Sequence, residues 1–174
     1  MINIQWRSSA AAVTLVMASL LPQMAAADGE KRLDLYGFAM LDMGYQSGQN
    51  DPDWFDVVRP TKLPSFEDEF GGDGHFFAGV RQSRLGVKGF MPTANGKEIK
   101  TIFEFELFGT GSDAGQTTFR LRHAWGEYGK WGAGQTWSPF MDADVFPNSI
   151  EYWGPSGMVF FRNVQLRYMP MQGR

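Results

Sequence analysis

From residue 33 onward, apolar and polar side chains alternate in segments of about ten residues. Segment 33–46 sets Leu33, Leu35, Ala39, Leu41 and Met43 on one face and Asp34, Tyr36, Phe38, Asp42 and Gln46 on the other. Segment 77–90 places Leu85 and Val87 opposite Gln82, Arg84 and Lys88. Segment 100–108 sets Thr101, Phe103, Phe105 and Leu107 against Lys100, Glu104 and Glu106, and 118–128 alternates Phe119, Leu121 and Trp125 with Arg120, Arg122 and Ala124. A further strand is expected over 131–137, without a facial assignment. The last, 159–168, carries Val164, Leu166 and Tyr168 opposite Asn163, Gln165 and Arg167. A period of two is the signature of strands whose faces meet different environments, so six strands are predicted.

The connections alternate in length. Long stretches at 47–76 and 138–157 and a medium one at 109–117 are separated by short turns, at 93–97 with its Asn95-Gly96 pair and at Gly129-Lys130. Short turns on one side and long loops on the other are the habit of outer-membrane barrels. Strands of about ten residues tilted near 40° cover roughly 25 Å, the height of the apolar band of such a barrel. Beyond residue 27 no run of eighteen apolar residues exists, so a spanning helix is not expected there. Closure matters because an unpaired backbone group in lipid costs several kcal/mol.

Composition supports this picture. The 174 residues include 15 Phe, 6 Trp, 5 Tyr and 21 Gly, a profile of strands and turns. No cysteine is present, which excludes a disulfide scaffold, and 43% hydrophobic content excludes a disordered chain. A net charge of -3 argues against a nucleic-acid partner. Residues 1–27 read as an export signal: Arg7, an apolar run over 10–21, Pro22 as a breaker, and Ala25-Ala26-Ala27 as the cleavage site.

Three motifs then point to a family. Residues 32–45 (RLDLYGFAMLDMGY) and 81–90 (RQSRLGVKGF) resemble the first two strands of general bacterial porins. Residues 134–142 (GQTWSPFMD) resemble the DcaP-like porins, where this sequence leads into the third loop, and the likeness extends over 33–170. The resemblance implies a trimeric, sixteen-stranded outer-membrane channel that takes up small organic acids, notably dicarboxylates. The expected fold class is therefore all-β, an antiparallel meander forming part of a transmembrane porin barrel. Residues 28–174 would supply its first six strands, after a signal peptide at 1–27. Two departures stand out. No aromatic-ended final strand is present, and only 28–31 separate signal from barrel, where relatives often carry a helical segment. The chain is thus expected to be the N-terminal part of a porin.

By alternation, Arg84, Lys88, Arg120, Arg122 and Arg167 point into the lumen, and the resemblance assigns Arg84 and Arg120 to the basic wall of a porin constriction. At 5 Å an arginine attracts a carboxylate by about 3 kcal/mol at an effective dielectric of 20, and by less than about 1 kcal/mol in water. Weak attraction of small anionic solutes follows, because a tightly held solute cannot leave. The alternative is that Glu104 and Glu106, on the intervening strand, pair with these arginines across the sheet. Segment 138–157 stands where the third porin loop folds inward, which would set Asp142, Asp144 and Glu151 against the basic wall; the alternative is an extracellular lid. The first loop, rich in Asp and Glu, reads as a solvated acidic loop. Asp51, Asp53 and Asp56 form a weaker calcium candidate without EF-hand spacing. No metal or cofactor is expected. Phe119, Trp125, Trp131 and Trp137 fit interfacial aromatic girdles.

Two soluble alternatives compete with an outer-membrane channel. One is a glycoside hydrolase on a β-sandwich, using Glu104 and Glu106, which lie about 6.6 Å apart by strand rise. The other is an exported carbohydrate-binding module with Trp and Tyr platforms. His75 and His123 lack an obvious nucleophile or metal-ligand partner, and the glycine clusters open no helix that would cradle phosphate. The partners expected are outer-membrane lipid, small anionic solutes and two further copies in a homotrimer.

Overall fold

The computed structural model describes residues 29–57, 59–145 and 161–171; the expected signal peptide lies outside them. Among the described residues eight strands form: β1 (Arg32–Phe38), β2 (Asp42–Gln46), β3 (His75–Gly79), β4 (Arg84–Pro92), β5 (Glu98–Phe108), β6 (Thr117–Tyr128), β7 (Trp131–Trp137) and β8 (Arg162–Tyr168). Six of them make one antiparallel sheet in the order β1-β4-β5-β6-β7-β8, while β2 and β3 pair separately. The fold is the expected meander, with one change. The first two predicted strands are each broken, one at 39–41 and the other at 80–83.

The break has a local cause. Pairing stops at Phe38 opposite Arg84 and resumes at Asp42 opposite Gly79, so four residues face three. An extra residue cannot remain in a ladder of period two, and the chain buckles. Ser83 bridges the gap: its Oγ accepts from the Met40 amide at 2.9 Å and donates to the Met40 carbonyl at 3.3 Å. Arg81, read from the sequence as part of a strand, leaves the ladder and is buried.

A second irregularity lies in β6. Glu104 faces His123 and Phe105 faces Leu121, so Arg122 is the additional residue of a bulge and both Arg122 and His123 oppose one glutamate. Beyond the bulge every side chain changes face. Trp125, expected beside Phe119 and Leu121, instead joins the arginine face and is buried, and Ala124 goes to the apolar one. Gly132 makes room for the indole, since a Cβ there would lie 2.2 Å from a Trp125 ring carbon. The Trp125 indole N–H donates to Glu127 at 2.9 Å.

The two faces of the main sheet are opposite in character. On one, cross-strand rows such as Leu35–Val87–Phe103 and Ala133–Leu166 present bare hydrocarbon, with Leu35 80% and Val164 77% exposed. The row Met91–Ile99–Tyr128–Trp131–Tyr168 closes this face at the short-turn end, and the Trp131 and Tyr168 rings lie 4.9 Å apart. The other face carries the buried charges Glu104, Glu106 and Arg122. A soluble sandwich does the reverse, burying its apolar face and wetting its charges. Among the described residues no helix is long and apolar enough to cross a membrane.

Candidate functional site: a charged ladder on the sheet

The site is built by register. Opposing positions line up as Phe38–Arg84–Glu106–Arg120 in one row and Tyr36–Gly86–Glu104–His123 in the next. Glycine at 86 is required by close approach, because a Cβ would meet the Tyr36 ring at 2.4 Å. Tyr36 can therefore lie across β4 and donate its hydroxyl proton to Glu104 Oε2 at 2.6 Å. Arg122, displaced by the bulge, sits between the rows and serves both carboxylates. Its Nε donates to Glu104 Oε1 and its Nη1 to Glu106 Oε2, each at 2.5 Å.

Arg120 pairs with Glu106 from the other side, and Arg84 Nε lies 3.6 Å from Glu104 Oε1. Three guanidiniums thus share two carboxylates. Burial weakens solvent screening, so these pairs act in a medium less polarisable than water. The edge of the cluster is aromatic. The Trp137 ring has the Arg122 guanidinium 5.1 Å and the Arg162 guanidinium 4.3 Å from its centroid, and His123 meets it edge-on at 5.0 Å. His123 also bonds Thr136 Oγ1 at 2.9 Å.

Of the residues singled out from the sequence, Arg84, Arg120 and Arg122 come together here with Glu104 and Glu106. Lys88 and Arg167 share the charged face but stand nearer the short turns. Lys88 is exposed, with its ammonium 5.0 Å from the Tyr36 ring, and Arg167 lies over Trp125 at 5.5 Å. Asp142 and Asp144 are exposed, and the Asp142 carboxylate accepts from the Asp144 amide at 3.0 Å, closing a local turn. Glu151 and most of the expected inward loop 138–157 lie outside the described residues. Of the four expected girdle aromatics, Phe119 and Trp131 are exposed, Trp125 is buried on the charged face, and Trp137 is half-buried beside Arg122.

Sequence reasoning missed Arg81, Arg162, His123 and the contribution of Tyr36. Tyr36 alone left a legible signal, since alternation put it on the polar face with Asp34. Arg162 shares the parity of Val164, and only its reach over Trp137 brings it to the ladder. The hydrolase alternative loses its chemistry here, because both candidate carboxylates are already held by guanidiniums and neither stands free toward a substrate.

The first loop is solvated as expected at Asp53, Glu67, Asp68 and Asp73, but Asp51 and Asp56 are tied into the structure. Asp51 caps the turn Pro52–Trp54 and pairs with Lys62 at 3.1 Å, while the Asn50 amide donates to the Trp54 and Val57 carbonyls at 2.6 and 2.8 Å. Asp56 is buried and paired with Arg81. Among the described residues no group of three His, Asp or Glu side chains is positioned to hold a metal ion.

Comparison with known proteins agrees with this geometry. No curated protein matches the chain. The crystal structure of the outer membrane channel DcaP of Acinetobacter baumannii superposes with a TM-score of 0.66 at 24% identity. That match covers 87% of this chain and 40% of the channel, so the chain spans well under half the length of its solved relative. The likeness establishes the fold, a sheet of the kind that makes part of an outer-membrane barrel. The family model for the DcaP outer membrane protein matches residues 73–172, from β3 to the end of β8. The chain therefore belongs to the DcaP outer membrane protein family, and its place is the bacterial outer membrane.

Proposed function

We propose that residues 28–174 form six strands of the wall of a water-filled channel, with the charged face lining the lumen and the apolar face meeting lipid. In this reading 1–27 is the signal that exports the chain. Further strands close the two open edges at β1 and β8, as lipid demands of any sheet within it. Small solutes pass by diffusion, anions preferentially, and no catalytic step is assigned. The observation that carries the reading is the excess of guanidinium over carboxylate within the ladder, with the exposed Lys88 on the same face.

Glu104 and Glu106 hold the arginines in place and cancel much of their charge, leaving a modest positive potential. That suits passage better than capture, and dicarboxylates are the organic acids with most to gain from several guanidiniums. Asp142, Asp144 and Glu151 supply the opposing negative side if 138–157 folds inward. Three copies associate in the membrane, which chemical cross-linking of outer-membrane fractions tests directly. The selectivity experiment uses the full-length channel in a planar bilayer under a potassium chloride gradient. Replacing Arg84 and Arg120 together by glutamine should shift the reversal potential toward cations. An unchanged anion preference would refute the assignment.

A further inference from the structure

We propose that the first loop, through 51–57, is a second inward-folded constriction, clamped onto the pore wall by the Arg81–Asp56 pair. The inference rests on the reading of the charged face as the lumen. Phe108 shows which side of the sheet the loop occupies. On β5 it follows Glu104 and Glu106 at alternate positions, and the Arg120 guanidinium lies 5.4 Å from its ring, so its side chain is on the charged face. Trp54 covers Phe108 from that side, with ring centroids 5.8 Å apart. Trp54, Val57 and Phe108 form one buried cluster with Ala114 packed against it. The segment therefore lies on the charged side of the sheet.

The clamp explains why the strand breaks where it does. Buckling at 80–83 frees Arg81 to turn toward the loop, where its guanidinium is stacked 4.2 Å from the Phe108 ring and 4.6 Å from Phe55. Its Nε donates to Asp56 Oδ2 at 3.0 Å, and Nη2 donates to Asp56 Oδ1, a bidentate pair. Arg81 is 1% exposed. A strand irregularity, a buried ion pair and an aromatic anchor thus converge on one segment. Such an arrangement fixes a loop against a wall, and a fixed loop on the lumen side narrows the passage. Asp53, exposed beside Gly115 of the medium-length connection 109–117, stands on this segment.

The test is steric. In the full-length channel, freed of any other cysteine, Asp53→Cys is modified with a bulky methanethiosulfonate and single-channel conductance is recorded. Conductance should fall at residue 53, where the added bulk narrows the passage, and severalfold less for any position off the constriction. Glu67→Cys, also exposed but distant in the loop, is the control and should be unaffected. Arg81→Ala combined with Asp56→Ala, which removes both charges and the side chains packed against Phe55 and Phe108, should release the segment and raise conductance. Modification at residue 53 verified by mass, with conductance unchanged while the unmodified channel conducts normally, overturns the constriction. A wild-type protein that forms no channel overturns the functional reading beneath it instead.

Discussion

At the base of the first loop one guanidinium meets one carboxylate, Arg81 with Asp56; in the ladder Arg84, Arg120 and Arg122 share Glu104 and Glu106. Both assemblies are built of the same side chains and both are largely buried. The first is balanced and sealed between Phe55 and Phe108, so no field is left over for a passing solute. The second carries surplus positive charge along an open face of the sheet. Stoichiometry and access, more than residue type, separate a structural ion pair from a wall that sorts solutes.

The largest effect should come from unbalancing the sealed pair. Arg81→Met alone strands a buried carboxylate and should cost about 3–5 kcal/mol. It would appear as a lower midpoint temperature for heat-modifiable migration on denaturing gels. Adding Asp56→Leu should recover most of that loss, because a buried pair replaced by apolar groups is often neutral. If the double variant is no more stable than the single one, the pair is not the balanced clamp described.

Glu106→Gln tests the other side of the contrast. It weakens the charged bonds that Arg120 and Arg122 make, at about 1.5–3 kcal/mol, and enlarges the positive surplus. The reversal potential of the full-length channel should move toward anions, whereas the balanced replacement of Arg81 by Met with Asp56 by Leu should leave it in place. Equal shifts from both would erase the distinction between sealed and open clusters.

Smaller effects sharpen it further. Tyr36→Phe deletes the hydroxyl donated to Glu104 and should cost about 1 kcal/mol by the same melting assay, with little change in selectivity. Lys88→Gln should change stability by no more than about 0.5 kcal/mol, since the side chain is exposed. Its influence on anion preference should fall below that of the Arg84/Arg120 pair. A larger effect from Lys88 would relocate the selective region toward the short turns.

Much of this was legible from alternation. The face bearing Arg84, Glu104, Glu106 and Arg120 follows from a period of two, as does the bare hydrocarbon of Leu35 and Val164, and the turn residues between segments give the short and long connections. What alternation missed lies beyond register defects. Arg122 and His123 occupy consecutive positions yet oppose a single glutamate, and no local pattern announces where a ladder inserts a residue. Trp125 therefore changed face, and Arg81 left the strand it had been assigned to. The acidic first loop misled for a related reason. Most of its carboxylates do face solvent, but Asp56 is buried against Arg81, a partner 25 residues farther along the chain.

The sequence by itself determined the class of surface: strands of membrane length, one face apolar and one charged, because side-chain direction in a strand follows from parity alone. Only the tertiary structure decided which charges cancel, which remain, and which loop folds onto the charged face. Those outcomes depend on bulges, on glycines that admit an aromatic ring, and on partners tens of residues apart, none of which periodicity encodes.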